Sequence, residues 1–214
     1  MEVKLNKYIR FIYIALWGYI IVFFCTFCTE SKKTYTITGK APDLKDNTVL
    51  YLVPIENATK ETADSTYIVN GTFEFKGEIE KEEVKIIRTK SHLSFRFQPV
   101  LVVIEPGEIK VVLDSVSIAG NTLQNELLQT WKNVKQDFDK DIEMQKKQLR
   151  NSEETFKQEI RERIGALSEK YATYNYEFIK QHQHTTVGQF VYKMVGNSLT
   201  EEQKESLKLI EKEQ

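Results

Sequence analysis

The chain has 214 residues, with 30 Lys+Arg against 31 Asp+Glu and a formal net charge of −1, so no basic field is present to hold nucleic acid. It contains two cysteines, both before residue 29, so everything after Cys28 lacks a disulfide framework and a thiol nucleophile. The 186 residues after Cys28 suffice for one sizeable domain or two small ones, held by a hydrophobic core alone.

Lys4, Lys7 and Arg10 precede FIYIALWGYIIVFFCTFC, an 18-residue run from Phe11 to Cys28 without a charge. A basic leader, an apolar run and a polar body form the layout of an export signal. The run also reaches the lower limit for a spanning helix, roughly 17 residues. The basic end would stay in the cytoplasm, so the body is expected outside it. Cys25 and Cys28 are spaced C-x-x-C, but no βαβ pattern precedes them, which argues against a redox pair. Cys28 is read as the acylated first residue of a mature lipoprotein, with Cys25 as the alternative site. Its position before T-E-S-K-K resembles a lipobox, although Phe27 stands where a small residue is expected. An uncleaved N-terminal membrane anchor is the second reading. Without the leader, 27 basic residues face 30 acidic ones.

From residue 34 to residue 118 the apolar residues alternate with period two, and about six to eight strands are expected. TYTITGK puts Tyr35, Ile37 and Gly39 on one side. NTVLYLVP puts Leu50 and Leu52 opposite Val49, Tyr51 and Val53. In DSTYIVNGTFEFKGEIE two alternating runs flank Asn70-Gly71, the signal for a type I′ hairpin carrying Tyr67, Val69, Phe73 and Phe75. EVKIIRT, SFRFQPVLVVIE and, after Pro106-Gly107, EIKVVLD complete an antiparallel sandwich or open barrel.

At Gly120-Asn121 the period becomes helical. Leu123, Leu127, Leu128, Trp131, Val134, Phe138 and Ile142 form one stripe, and Phe156, Ile160, Ile164, Leu167, Tyr171, Tyr174 and Phe178 form another. Two long helices, over 123–150 and 153–181, are expected as a hairpin or one interrupted rod. Thr200 and Gln203 read as a capping box opening a last helix. The fold class is thus α+β: a β-sandwich-like module at 34–118, then a helical region at 121–214.

Candidate chemistry is sparse. The histidines are His92, His182 and His184. His182 and His184 could ligate a metal on an extended backbone, but on a helix they point about 200° apart. Asp64-Ser65 and Asp114-Ser115 lack a nucleophile-elbow pattern and read as turns. No Walker A or G-x-G-x-x-G pattern occurs. No catalytic residue and no cofactor is assigned. Tyr176, off the main aromatic stripe of Tyr171, Tyr174 and Phe178, is the candidate for an exposed contact.

The succession TYTITGKAPDLKDNTVLYL, DSTYIVNGTFEFKGEIE, IEPGEIKVVLD and SIAGNTLQNELLQTW resembles the domain-of-unknown-function 4369 family. Its pattern is an I-x-G strand, a D-S-x-x-V-x-x-G-x-F-x-F hairpin, an E-P-G-x-I strand and a G-x-x-x-N segment, here Gly120 to Asn125 with one added residue. The resemblance implies an exported Bacteroidetes protein, often a lipoprotein, whose module precedes a thioredoxin-like domain of the thiol–disulfide interchange type. This chain stops at Gln214, about where that domain would begin, so the oxidoreductase activity is not carried over. The expectation is a non-catalytic binding or accessory module of the cell envelope, facing the periplasm or on the outer membrane, or else anchored in the inner membrane. Its expected partners are the membrane, through the leader, and a protein, with a thioredoxin-like one as the candidate. The alternatives are a stand-alone half of a thioredoxin-like thiol–disulfide system and a His-dependent metalloenzyme. In that phylum D-S/T-aliphatic sites carry O-glycans; Asp114-Ser115-Val116 resembles one, as does Asp64-Ser65-Thr66, giving Ser115 and Ser65 as acceptors.

Overall fold

Eight short strands and four helices follow one another in a computed structural model that describes residues 32–56, 63–90 and 97–207. The leader, with Cys25 and Cys28, and His92 lie outside the described residues. The strands are β1 (Thr34–Lys40), β2 (Val49–Pro54), β3 (Asp64–Tyr67), β4 (Thr72–Glu78), β5 (Glu83–Arg88), β6 (Val100–Ile104), β7 (Gly107–Val112) and β8 (Ile118–Gly120). They form two four-stranded sheets, ordered β4-β1-β7-β8 and β3-β2-β5-β6. The fold is α+β, as the change of period implies. One pairing departs from an antiparallel sandwich: β1 and β7 run parallel, with Ile37 opposite Ile109.

Alternation along the strands builds the first core. Tyr35, Ile37, Phe73, Phe75, Ile109 and Val111 point inward from the first sheet. Leu50, Leu52, Ile87, Val100, Val102 and Ile104 meet them from the second. Gly39 shares this inner face because it must: a Cβ there would lie 2.0 Å from Cζ of Phe73, its cross-strand partner. The glycine lets the phenylalanine ring lie flat over the strand.

Asn70-Gly71 makes the expected turn, with φ of 49° and 69°, and Val69 and Thr72 exchange hydrogen bonds of 2.9 and 3.0 Å across it. The hairpin, however, ends at that one bridge. β3 pairs with β2 in the second sheet, and β4 pairs with β1 in the first. Ile68 decides this, because it is fully buried in the sandwich core and its N–H donates to Thr48 O at 3.0 Å. The turn is therefore a corner between sheets. Tyr67 and Val69, expected in the hairpin, end up 60% and 56% exposed.

Helices cover the outer face of the second sheet. α1 (Leu123–Asn151) and α2 (Glu154–His182) are each about 43 Å long at 1.5 Å per residue and lie together as a hairpin rather than a single rod. α3 (Thr186–Val195) and α4 (Glu201–Ser206) follow. Val84 and Val103 from the sheet meet Leu128, Trp131, Phe178, Ile179, Val187 and Val191 in a second core. Chain from Lys33 onward thus belongs to one compact unit, with sheet and helices sharing apolar surface. Gly188 of α3 permits the tight return from α2, since a Cβ would sit 1.9 Å from His182 O. The capping box at Thr200 is formed, with Gln203 N donating to Thr200 Oγ1 at 3.2 Å and Thr200 N to Gln203 Oε1 at 2.9 Å.

Candidate functional site

The residues that carry the family resemblance converge on a joint. Glu105 follows β6 and is only 7% exposed. Its Oε1 accepts from Thr122 Oγ1 at 2.7 Å, Gln124 N at 2.9 Å, Asn125 N at 3.0 Å and Asn125 Nδ2 at 3.1 Å. This carboxylate therefore caps α1 from a distant strand, where negative charge complements the helix dipole. Thr122 occupies the N-cap position but makes no side-chain cap bond, because its hydroxyl donates to Glu105. Asn125 continues the joint toward the sheet. Val103 N donates to Asn125 Oδ1 at 2.9 Å, and Asn125 Nδ2 donates to Val103 O at 2.8 Å. One side-chain amide thus takes the place of a missing strand beside edge strand β6, satisfying backbone groups that burial would otherwise leave unpaired. The turn before β7 needs Gly107, with φ of 119°. Asn121, also in the left-handed region, donates through Nδ2 to Glu108 O at 2.7 Å. Each of these groups has its partners inside the fold.

The other sequence candidates are scattered. His182 ends α2 with its ring 4.8 Å from that of Phe178. His184 is exposed and lies 3.3 Å from Gln183 Nε2. No group of three His, Cys, Asp or Glu side chains able to hold a metal occurs among the described residues. Ser65 and Ser115 both lie at exposed positions. Ser115 N donates to Asp114 Oδ1 at 2.5 Å in a bend that Ser117 closes onto Asp114. Asp64-Ser65, read as a turn, instead opens edge strand β3, where Ser65 opposes Tyr51. The α2 aromatics form a ladder: Phe138 to Tyr171 at 4.9 Å, Tyr171 to Tyr174 at 6.5 Å and Tyr174 to Phe178 at 6.1 Å. Tyr176 is not a free contact residue. It is half-buried against the second core, with its hydroxyl 3.0 Å from Ser206 Oγ.

What the fold leaves open is the outer face of the first sheet. A trough of about 830 Å³ lies there. Its floor is a block of cross-strand neighbours: Thr38 between Glu74 and Lys110, and Lys40 between Thr72 and Val112. Tyr67 and Val69, carried past this face by the corner turn, line it as well. Glu74 pairs with Lys76 at 2.8 Å, whereas Lys40 and Lys110 are exposed without a carboxylate at ion-pair distance. A cationic, hydroxyl-bearing floor beside an aromatic ring suits a ligand that offers both oxygens and an apolar edge. Sequence reasoning missed this site. Its signal was present in the outward set Thr38, Lys40, Thr72, Glu74 and Lys110, but the parallel β1–β7 pairing that joins them is a long-range event.

Residues 35–127 match the model of the family described as Domain of unknown function (DUF4369). The match covers 93 of the 214 residues. The matched span runs from β1 to the first residues of α1, so it contains both sheets and the Glu105–Asn125 joint, and stops at the start of the helical layer. Comparison with curated proteins and with solved structures gives no match.

Proposed function

We propose that the protein is an exported, membrane-anchored binding or accessory module of the cell envelope, acting without catalysis of its own. The observation that carries this reading is how the family motifs are used. Glu105, Asn125, Gly39 and Gly107 serve joints and turns, while the outer face of the first sheet carries a trough of about 830 Å³ with two unpaired lysines. That is the layout of a scaffold presenting a surface. The uncharged run from Phe11 to Cys28 supports export, and Cys28 supplies the acylation site. The body would then stand off the membrane on the short polar segment after Cys28. The expected ligand presents oxygens to Lys40 and Lys110 and an apolar edge to Tyr67 and Val69. A thioredoxin-like partner and the Bacteroidetes setting belong to the same proposal and rest on the family resemblance.

The test is the intact mass of membrane-extracted protein, with peptide mapping of its N-terminus. A chain beginning at an acylated Cys28 supports the lipoprotein. A full-length, unmodified chain that washes from membranes with salt would overturn the anchored reading.

A further inference from the structure

Lys132 of α1 is a cation without a counter-ion. It follows Trp131, the most buried aromatic of the second core, and is itself largely shielded from solvent. Its ammonium donates to two neutral acceptors, Gln129 Oε1 at 3.1 Å and Ser117 O at 3.4 Å. Neither compensates a shielded charge, and no carboxylate stands within ion-pair distance of Nζ. Asp139, nearby on the same helix, is held by Lys135 at 2.5 Å. Burial lowers the Lys132 pKa to about 8, the cost of keeping this charge where water is scarce.

The ammonium borders a pocket of about 250 Å³ where α1, α3 and the chain around β6 and β8 meet. Gln98, Gln129 and Gln136 supply amides to its wall, and Leu101, Phe190 and Met194 supply apolar surface. Trp131 and Phe190 meet edge to face at 6.3 Å beside it. Lys135 and Asp139 also line it but neutralise each other as an ion pair, so Lys132 supplies the uncompensated positive charge beside several amides and an aromatic wall.

We propose that this pocket binds a small organic anion, a carboxylate on a compact apolar body, with Lys132 supplying the positive charge. The carboxylate accepts from the remaining Lys132 donor, and the apolar body lies against Phe190 and Met194. This site is separate from the sheet-face trough, and its failure leaves the trough reading untouched.

Trp131 provides the readout. In the full chain carrying Trp17→Phe it is the sole indole, since Trp17 and Trp131 are the two tryptophans. Benzoate is the probe, with benzamide as the neutral shape match and inorganic phosphate as the anion without an apolar body. Benzoate is expected to change Trp131 emission saturably, with benzamide and phosphate at least about tenfold weaker. Lys132→Gln is expected to weaken benzoate by a similar factor, while Lys110→Gln in the trough leaves it unchanged. In parallel, benzoate should slow trinitrophenylation of Lys132, read by peptide mass mapping of the unsubstituted protein. Equal responses to benzoate and benzamide, no saturable response, or undiminished benzoate binding in Lys132→Gln would each overturn the proposal.

Discussion

The two sheets are built from similar strands but spend their outer faces differently. In the first sheet only one face is buried, so β1 and β4 alternate strictly, with Tyr35, Ile37, Phe73 and Phe75 inside and threonines, lysines and glutamates outside. In the second sheet β6 is buried on both faces. Val100, Val102 and Ile104 enter the sandwich, while Leu101 and Val103 turn to the helices, and the strand reads as an unbroken VLVVI. A covered face is committed to the fold. The uncovered face of the first sheet is where Lys40, Lys110 and Tyr67 remain available to a partner.

The sharpest way to break this comparison is to place the same charge on each outer face. Val103→Asp puts an unpaired carboxylate between the second sheet and α1, which costs on the order of 4 kcal/mol or more. Lys110→Asp puts it on the open face of the first sheet and should change stability by about 0.5 kcal/mol or less. Urea unfolding of the two variants measures the difference. Similar midpoints would mean that the helices do not cover the second sheet.

Within the shared core, Gly39→Ala forces a methyl toward the Phe73 ring. Overpacking of this kind costs about 1–3 kcal/mol. Adding Phe73→Leu to Gly39→Ala should recover part of that loss, so the two changes are expected to be non-additive in a double-mutant cycle. At the edge of the second sheet, Asn125→Ala strips the amide that pairs with Val103 and should cost about 1–3 kcal/mol. Asn125→Asp should be worse, because it sets a second carboxylate beside Glu105 and removes the Nδ2 donor. Thermal melts that rank Asp above Ala would refute the pairing described here.

This contrast also explains what the sequence disclosed. Strands exposed on one face announce themselves by alternation, and Asn70-Gly71 fixed its own turn through the positive φ both residues adopt. The helical stripes gave α1 and α2 to within a residue at their ends. Pairing choices were hidden, because nothing local tells β3 and β4 to join different sheets, or β7 to lie parallel to β1. Asn125 was visible as part of a motif, but its role as a surrogate strand depends on β6 being an edge. Lys132 looked like any lysine beside an apolar stripe. The packing of α1 against the Ser117 carbonyl, beside the Trp131–Phe190 pair, half-buries it.

A further effect is a pH dependence that isolates this lysine. In the folded protein Lys132 titrates near 8 instead of 10.5, so between those values the folded state has released a proton that the unfolded chain still holds. The unfolded state then binds more protons, and stability rises with pH across this window. Tyr35, Tyr171 and Tyr174 act oppositely, since burial raises their pKa above 10.0 and their contribution is lost as pH rises past that value. The window from about 8 to 10 therefore reports Lys132 with little opposition. Lys132→Met, which keeps the stem and removes the charge, should be more stable than the parent at neutral pH. Its advantage should shrink as pH climbs through the window, read as converging urea midpoints. A constant gap would mean that the ammonium is fully hydrated and that the second sheet's helical cover is looser at this end than at Val103.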